Sequence, residues 1–451
     1  MRVPCLRVVL VPLSMLVTAC SDDTTESGTG GLELSITTTG RDFDQDGYAV
    51  TVDAGSSQPV PINGTLSIPA LSAGEHTAIL TGLATNCASA TPASLQVQIP
   101  EQGTARFEVS CAQIYTLAYE GAAGVELTNA AGTVHRILVP DAKPLGWSPD
   151  GQLLAVVQRQ DPYALWLISP DSGGLHELIR LESQSLLRKG ILTVRWAPDG
   201  RELLYEEVGG PNSFPVYLNR VTLDGSFDGF MNFVVSGEVA CSQGVQAGAA
   251  PDWSPDGQQV VVHHPNFSYP SGGVDLYILP RDGSGQRLLV GGQQPDWSPD
   301  GSVIAFVAGP SQCDAAYATS PARYASSSLH LIGPDESERQ LTHPSPDESD
   351  EDPVWSPDGS TVAFVRLGVD PDRRVTSVAG YLVDADGTNE RQLAVLPLAD
   401  PVVVYRPSWS ADGLHLAFAG PPGTYVVGAD GSAFHTVSEA LTRWVPAQWR
   451  P

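Results

Sequence analysis

The chain has 451 residues, and its 51 acidic against 24 basic side chains give a formal net charge of −27 at neutral pH. Because nucleic-acid binding needs Lys and Arg against phosphate groups, this charge disfavours a nucleic-acid partner. The length provides enough core for two domains, and we expect a monomer.

Residues 1–19 are predicted to be a lipoprotein signal peptide. Arg2 and Arg7 precede an apolar run at residues 8–17, which is too short to span a bilayer. The run ends in small residues followed by Cys20, and this ending resembles a bacterial lipobox. The resemblance implies that Cys20 is lipidated and becomes the mature N-terminus; an ordinary signal cleaved nearby is the alternative. We therefore expect a cell-envelope protein held by its lipid anchor alone, on the periplasmic side or the surface of the outer membrane.

Residues 20–31 and 32–112 are predicted to be a flexible tether and a small β-sandwich. The tether is rich in Asp, Thr, Ser and Gly and has nothing to bury. In the second segment, short runs that alternate apolar and polar residues, such as Leu32, Leu34 and Ile36, are separated by Gly, Asn and Pro turns. The segment is similar to the carboxypeptidase-regulatory-like or PEGA-like modules of secreted bacterial proteins.

A candidate calcium loop lies inside the predicted sandwich. Asp42, Asp44, Asp46 and Asp53 follow the spacing of a calcium-binding loop, with Gly47 at its turn. The flanking helices of an EF-hand are absent from the pattern, because residues 48–52 alternate as a strand. An Asp-rich hairpin turn without metal is the favoured interpretation, and a calcium ion is the alternative.

A phrase of the form Trp-Ser-Pro-Asp-Gly is repeated through the rest of the chain. Six copies begin at Trp147, Trp196, Trp253, Trp297, Trp355 and Trp409. Pro presets φ in such a turn and Gly accepts the left-handed conformation, so each copy predicts a tight hairpin. The indole before the turn can wedge between neighbouring units and bury a large apolar area.

Three further strand-like runs follow each phrase, which gives four strands per unit and predicts the blades of a propeller. The repeats resemble the TolB-like (WD40-like) propeller family over residues 113–451. That family includes partner-binding periplasmic proteins and propellers attached to peptidases, so the resemblance implies a fold without selecting a function.

The two ends of the repeat region predict how the propeller closes. Three strand-like runs precede Trp147 without a Trp phrase of their own, and Trp449 begins a seventh phrase at the other end. If the C-terminal strand completes the N-terminal blade, the ring has no open edge and contains seven blades. The TolB pattern has six blades, which is the alternative. The predicted fold is thus all-β, a small β-sandwich followed by a seven-bladed propeller.

Four cysteines remain beside Cys20 and the Cys5 of the signal peptide. An even number in an oxidising compartment predicts disulfides, Cys87 with Cys111 in the sandwich and Cys241 with Cys313 between propeller loops.

The longer propeller loops, among them residues 309–327 and 367–378, are all predicted to lie on one face, which is therefore the candidate binding face. Candidate contact residues there are His263, His264, Tyr269, Arg323 and Arg373. Some seven-bladed propellers of this repeat class are polysaccharide lyases that bind a divalent metal through histidines. Adjacent histidines on a strand point to opposite faces, so at most one of His263 and His264 faces a given site.

The sequence contains no G-x-S-x-G nucleophile motif, P-loop or dinucleotide fingerprint. We expect a non-catalytic scaffold without a cofactor, apart from the alternative calcium ion, that binds an envelope protein or a glycan. A metal-dependent, lyase-like carbohydrate-active enzyme is the alternative.

Overall fold

The computed structural model divides into two compact units built from β-strands. It describes residues 29–44, 46–99, 102–181, 188–209, 216–231, 251–266, 273–309, 326–333, 335–371, 374–398, 406–420, 423–440 and 446–451. One unit consists of the residues up to Thr39 and of Asp46–Ser110, and the other of Gly40–Gln45 and Cys111–Pro451. Within these described ranges, no helix has the length and apolar character needed to cross a membrane.

The first unit is a β-sandwich of two four-stranded sheets. Its strands are β1 (Thr29–Gly40), β2 (Tyr48–Val52), β3 (Gln58–Val60), β4 (Thr65–Ser72), β5 (Gly74–Thr81), β6 (Cys87–Ser89), β7 (Ser94–Ile99) and β8 (Gln102–Cys111). One sheet has the order β4-β1-β8-β6 and the other β3-β2-β5-β7. Leu32, Leu34 and Ile36 are buried while their neighbours on β1 are not, because successive side chains of a strand point to opposite faces. Cys87 and Cys111, on adjacent strands of the first sheet, are disulfide-bonded.

The boundary of the predicted tether is corrected by strand β1. Thr29 and Gly30 already pair with Ser72 and Leu71 of β4, so the strand begins inside the segment assigned to the tether. The pairing is made by backbone groups, which even a run of small polar residues can supply. The composition of residues 29–31 therefore did not predict their structure.

In the second unit, the described residues form seven four-stranded antiparallel sheets, here called blades 1–7. Blade 1 contains β9 (Leu117–Glu120), β10 (Gly124–Thr128), β11 (His135–Pro140) and the distant β36 (Gln448–Trp449); blade 2 contains β12 (Ala142–Trp147), β13 (Leu154–Gln158), β14 (Ala164–Ile168) and β15 (Leu175–Arg180); blade 3 contains β16 (Arg188–Trp196), β17 (Glu202–Gly209), β18 (Val216–Thr222) and β19 (Phe227–Met231); blade 4 contains β20 (Asp252–Trp253), β21 (Gln259–Asn266), β22 (Gly273–Pro280) and β23 (Arg287–Gly291). Blade 5 contains β24 (Gln293–Trp297), β25 (Ile304–Ala308), β26 (Ser328–Ile332) and β27 (Glu338–Gln340); blade 6 contains β28 (Glu348–Trp355), β29 (Thr361–Val369), β30 (Val375–Asp384) and β31 (Arg391–Leu396); blade 7 contains β32 (Arg406–Trp409), β33 (His415–Gly420), β34 (Gly423–Gly428) and β35 (His435–Ser438).

In each blade, the strand that ends at the tryptophan of the repeated phrase is the innermost strand. These inner strands (β36, β12, β16, β20, β24, β28 and β32) contact one another from blade to blade. The order closes on itself, because β36 pairs with β9 through Gln448 with Ala118 and Trp449 with Leu117. The second unit is therefore a β-propeller, and the predicted all-β architecture of sandwich plus propeller is confirmed.

The Ser-Pro-Asp-Gly turns are held by a repeated set of hydrogen bonds. In the first copy, Ser148 Oγ donates to Asp150 Oδ1 at 2.6 Å and accepts the N–H of Leu153 at 2.9 Å. Gly151 closes the turn with a φ of 64°, a conformation that glycine adopts without steric cost. The same Ser-to-Asp bond is present at Ser254, Ser298, Ser356 and Ser410. The repeated phrase thus specifies a turn in which side chains replace missing backbone partners.

Residues 367–378 were predicted to form one of the long loops, but most of them belong to strands, which corrects that prediction. β29 runs to Val369 and β30 begins at Val375, with Leu367 opposite Val378. All four of these side chains are buried in one core cluster of blades 6 and 7. Their apolar alternation therefore extends the hairpin beyond the length that the blade repeat predicted.

Candidate functional site

The candidate site is a group of polar side chains on and beside the inner strands of blades 3–7. We call it the inner polar cluster, and its members are Arg195, Asp252, His263, Gln294, Asp296, Glu351, Asp352 and Arg406. Two members sit at irregularities of their strands, because register shifts interrupt β24 and β28 and φ is 54° at Gln294 and 51° at Asp352. Positive φ is strained for residues other than glycine and is held only where the surroundings fix it.

A chain of polar contacts links four consecutive blades within this cluster. The backbone N–H of Gln294 in blade 5 donates to Nδ1 of His263 in blade 4 at 3.2 Å. The side-chain Oε1 of Gln294 accepts the backbone N–H of Asp352 in blade 6 at 2.8 Å. Arg406 of blade 7 lies 3.9 Å from the Asp352 carboxylate. Because Nδ1 of His263 accepts a hydrogen bond, the proton of the neutral ring is on Nε2.

Glu351 is the most deeply buried carboxyl group of the cluster, with 2% of its surface exposed. Its Oε1 accepts hydrogen bonds from Ser327 at 3.1 Å and from Ser349 at 3.3 Å. Burial, and secondly the charge of Asp352, raises the pKa of Glu351 to about 8. The side chain therefore carries its proton at neutral pH and acts as a neutral hydrogen-bonding group.

Asp252 and Asp296 form a pair on adjacent inner strands. The Asp252 carboxylate accepts the backbone N–H of Trp297 at 2.8 Å, and the Asp296 carboxylate accepts that of Trp355 at 2.7 Å. Burial raises the pKa of both groups, and the charge of Asp252 raises that of Asp296 further. The charge of Arg195 acts in the opposite direction on both. Both residues nevertheless keep part of their surface exposed.

The tryptophans of the repeat form the contacts between blades. At five junctions, the indole N–H donates to the carbonyl of the residue that precedes the tryptophan of the previous blade: Trp147 to Gln448, Trp196 to Gly146, Trp253 to Arg195, Trp409 to Val354 and Trp449 to Ser408. The indole N–H groups of Trp297 and Trp355 have no hydrogen-bond partner among the described residues. These are the two junctions at which an Asp side chain crosses to the backbone of the next tryptophan instead.

The remaining predicted contact residues are distributed differently. His264 follows His263 on β21 and is less buried, with its ring edge-on to Tyr277 at 6.0 Å. The two histidines thus face opposite sides of the blade. Tyr269, Arg323 and Arg373 lie outside the described residues, as do Cys20, Cys241 and Cys313.

Two of the predicted calcium ligands bond to protein groups within their own units. The Asp42 carboxylate accepts the backbone N–H groups of Ile114 and Tyr115 and pairs with Arg450 at 2.7 Å. Asp53 accepts the N–H of Thr77 and pairs with His76. Within the described part of the chain, no three His, Cys, Asp or Glu side chains, Asp44 and Asp46 included, are placed to hold a metal ion. The carboxylates of Asp42 and Asp53 thus bond to protein donors, and calcium binding at this turn remains a prediction.

Of the inner polar cluster, only His263 was predicted from the sequence. The sequence nevertheless contains a signal for two further members. In blades 4 and 5 the phrase is extended to Pro-Asp-Trp, at Asp252 and Asp296, whereas the other copies have unrelated residues before the tryptophan. A second missed set joins blades near their outer strands: Arg136 donates to the carbonyl of Pro170, Arg220 to that of Arg281, Arg339 to that of Ala385 and Arg391 to that of Ala429. Three of these arginines stand at the start of a fourth strand, a recurrence visible in the sequence.

No protein-family model and no curated protein match the chain. Similar solved structures include an oligogalacturonate lyase in complex with manganese, which is 19% identical with a TM-score of 0.47 and covers 72% of this chain and 85% of that chain. TolB from Acinetobacter baumannii is 16% identical with a TM-score of 0.44, over 78% and 84% of the two chains. The β-propeller domain of the Trilobed protease from Pyrococcus furiosus is 13% identical with a TM-score of 0.45, over 81% and 94%. Likeness at this level selects no activity, and the fold stands on the sheets described above.

Proposed function

We propose that this protein is a non-catalytic binding scaffold of the bacterial cell envelope, which holds a partner protein or a glycan through the inner polar cluster. The observation that supports this proposal is the polar chain from His263 through Gln294 and Asp352 to Arg406. It joins four blades, so its donors and acceptors are fixed by the whole propeller. Rigid, convergent polar groups in a concave lining are the usual means by which a scaffold orients a ligand.

The composition of the cluster fits a polar, hydrogen-bonding ligand. Its acidic side chains outnumber Arg195 and Arg406, and Glu351 adds a neutral carboxyl group at pH 7. Hydroxyl and amide groups would find both hydrogen-bond donors and acceptors there.

The test is crosslinking inside cells. A photo-crosslinking amino acid placed at Gln294 or Arg406, both partly exposed, should capture a defined envelope protein or glycan fragment that mass spectrometry identifies. The matched control places the same group at Val395, which is 65% exposed on an outer strand and should not capture the same species. Equal capture from all three positions, or none from the inner two, contradicts the proposal.

Export and lipid anchoring are part of the same proposal and rest on the first 20 residues of the sequence. We predict that Cys20→Ala moves the protein out of the membrane fraction, because no other lipid attachment is expected. The measurement is fractionation of cells with an antibody against the propeller, and Cys5→Ala serves as the control that should leave fractionation unchanged. A Cys20→Ala protein that is processed normally and remains in the membrane fraction would show that another element anchors it.

A metal-dependent carbohydrate-active enzyme is the second candidate, favoured by the position of His263 in the cluster. Nδ1 of this ring already accepts the Gln294 N–H, so only Nε2 could bind a metal. The purified full chain would then contain a stoichiometric divalent metal and cleave acidic oligosaccharides, and His263→Ala would lose both properties. Turnover without loss in His263→Ala would place the chemistry elsewhere.

A further inference from the structure

A serine, a histidine and a glutamate form a hydrogen-bonded row on the third and fourth strands of blade 5. Ser328 and His330 are two positions apart on β26, so their side chains point to the same face of the sheet. Nε2 of His330 lies 3.2 Å from Oγ of Ser328, and Nδ1 lies 2.6 Å from Oε1 of Glu338 on β27. We call these three residues the Ser–His–Glu triad. They are separate from the inner polar cluster.

The partners of the imidazole ring determine which of its nitrogens carries the proton. The exposed Glu338 carboxylate can only accept hydrogen bonds, so Nδ1 of His330 donates to it. Nε2 of the neutral ring is then an acceptor, and the Ser328 hydroxyl donates to it. A hydroxyl is thus bonded to a base that a carboxylate holds in orientation. This is the arrangement that activates serine as a nucleophile in acyl transfer.

The serine is accessible, and apolar side chains lie beside the triad. Ser328 is partly exposed at the start of β26, opposite the partly exposed Ala308. The His330 ring lies 5.8 Å from the ring of Phe306. Phe306 belongs to a hydrophobic cluster of blades 4 and 5, against which Ala308 and the partly exposed Leu289 pack. A compound that reacts at Ser328 would therefore find contacts for an apolar chain.

We propose that Ser328 is a reactive nucleophile that accepts an acyl group from an activated ester with an apolar chain. In this step Oγ of Ser328 forms a bond to the acyl carbon, and the bond between that carbon and the leaving oxygen breaks. Nε2 of His330 takes the hydroxyl proton as general base and passes it to the leaving oxygen. Glu338 positions His330. The product is a covalently acylated serine, a modification of the scaffold that does not depend on what the inner polar cluster binds.

The test is reaction of the purified full chain with alkyl fluorophosphonates, electrophiles that form a stable bond with activated serines. Intact-mass measurement should show a single adduct per chain, and peptide mapping should place it at Ser328. A decyl probe should react several-fold faster than an ethyl probe, because its longer chain can contact apolar side chains. An unlabelled protein, or an adduct elsewhere, overturns the proposal. Equal rates for the two probes overturn the apolar class of the ester.

Two variants test the nucleophile and its base. Ser328→Ala should abolish labelling, and His330→Gln should slow it by about a hundredfold, because the general base is removed. The matched control is Ser337→Ala, since the exposed Ser337 hydroxyl donates to Asp335 rather than to a histidine. Its labelling rate should equal that of the wild type. Labelling that persists in Ser328→Ala, or that keeps its rate in His330→Gln, contradicts the assignment.

The variant Glu338→Gln tests the positioning of His330. The new amide can donate to Nδ1, which moves the ring proton to Nε2, where the ring no longer accepts the Ser328 hydroxyl. We expect labelling to slow by about tenfold or more. Nitrogen NMR of the His330 ring should show the proton on Nδ1 in the wild type and a loss of this form in the variant. A wild-type ring protonated on Nε2, or unchanged labelling of Glu338→Gln, would remove Glu338 from the triad.

Discussion

Glu351 has 2% of its surface exposed, yet it lies one residue from the positive φ of Asp352 and accepts two serine hydroxyl groups. A carboxyl group in such a place is neutral at pH 7, because burial raises its pKa to about 8. Replacing Glu351 by a neutral residue of the same shape should therefore change the free energy of unfolding little at neutral pH. The native carboxyl group, in contrast, makes the stability of the propeller sensitive to alkaline conditions.

We predict that Glu351→Gln flattens the pH dependence of stability. A folded-state pKa raised to about 8 gives stability that is complete below the unfolded value of about 4.3 and is lost as pH rises to 8. The melting temperature of the wild type should consequently fall more between pH 5 and pH 8 than that of the variant. Glu336→Gln, at an exposed ion pair with Arg287, is the control and should melt like the wild type at every pH. Parallel pH curves for Glu351→Gln and wild type would contradict the assignment.

At the scale of elements, the hairpin after each tryptophan is the unit that repeats. Ser and Asp of the phrase bond to each other and to the backbone, and the hydroxyl bond lowers the pKa of Asp150, Asp256, Asp300 and Asp358. Blade 3 is a natural variant of this turn, since Ala197 replaces the serine. Within the turn, the Asp199 carboxylate accepts only the backbone N–H of Arg201. The contribution of the serine hydroxyl can therefore be tested within one protein, by removing it from one blade and adding it to blade 3.

We predict that Ser298→Ala lowers the free energy of unfolding by about 1 kcal/mol, because the Val303 N–H loses its acceptor and Asp300 loses a donor. The reverse change, Ala197→Ser, should stabilise blade 3 by a smaller amount. Denaturant unfolding of both variants provides the measurement. Ser302→Ala, whose exposed hydroxyl also bonds to Asp300, is the control and should stay within about 0.5 kcal/mol of the wild type. Equal losses of unfolding free energy in Ser298→Ala and Ser302→Ala would show that the buried Ser298 hydroxyl contributes no more than the exposed Ser302 hydroxyl.

The elements were largely predictable because the phrase encodes its turn locally. Trp, Pro, Asp and Gly occupy positions whose roles do not depend on distant residues, so the hairpins and the alternating sandwich strands could be inferred. The bond between His263 and Gln294 and the bond between Gln294 and Asp352 join neighbouring blades. Such contacts join residues far apart in the sequence, and single-strand patterns contain no record of them.

At the scale of the whole propeller unit, closure depends on more than the two-residue strand β36. Arg450 follows Trp449 and is completely buried, with Asp42 and Asp171 each 2.7 Å away and the Gly151 carbonyl at 2.8 Å. The guanidinium also lies over the Trp147 ring at 5.2 Å. The sequence predicted the strand pairing of Trp449, but nothing in it linked Arg450 to Asp42, 408 positions away.

We predict that Arg450→Met destabilises the propeller by about 3–5 kcal/mol, since two buried carboxylates would lose their counter-charge. Because β36 belongs to blade 1, the loss should appear as one cooperative transition at lower denaturant concentration. Arg391→Met removes an exposed arginine that bonds to the Ala429 carbonyl and should cost at most about 1 kcal/mol. A loss of the same small size at both positions would mean that closure does not depend on the buried ion triad.

The pairing of β36 with β9 also determines when the propeller can close during synthesis of the chain. Residues 117–120 leave the ribosome early, yet their partner strand is made more than three hundred residues later. During that interval β9 is an unprotected edge that a strand of another blade or another molecule could capture. A propeller that is synthesised from its N-terminus therefore stays open until β36 is made. The β9 edge would therefore need protection from β-edge pairing during most of the synthesis of the chain.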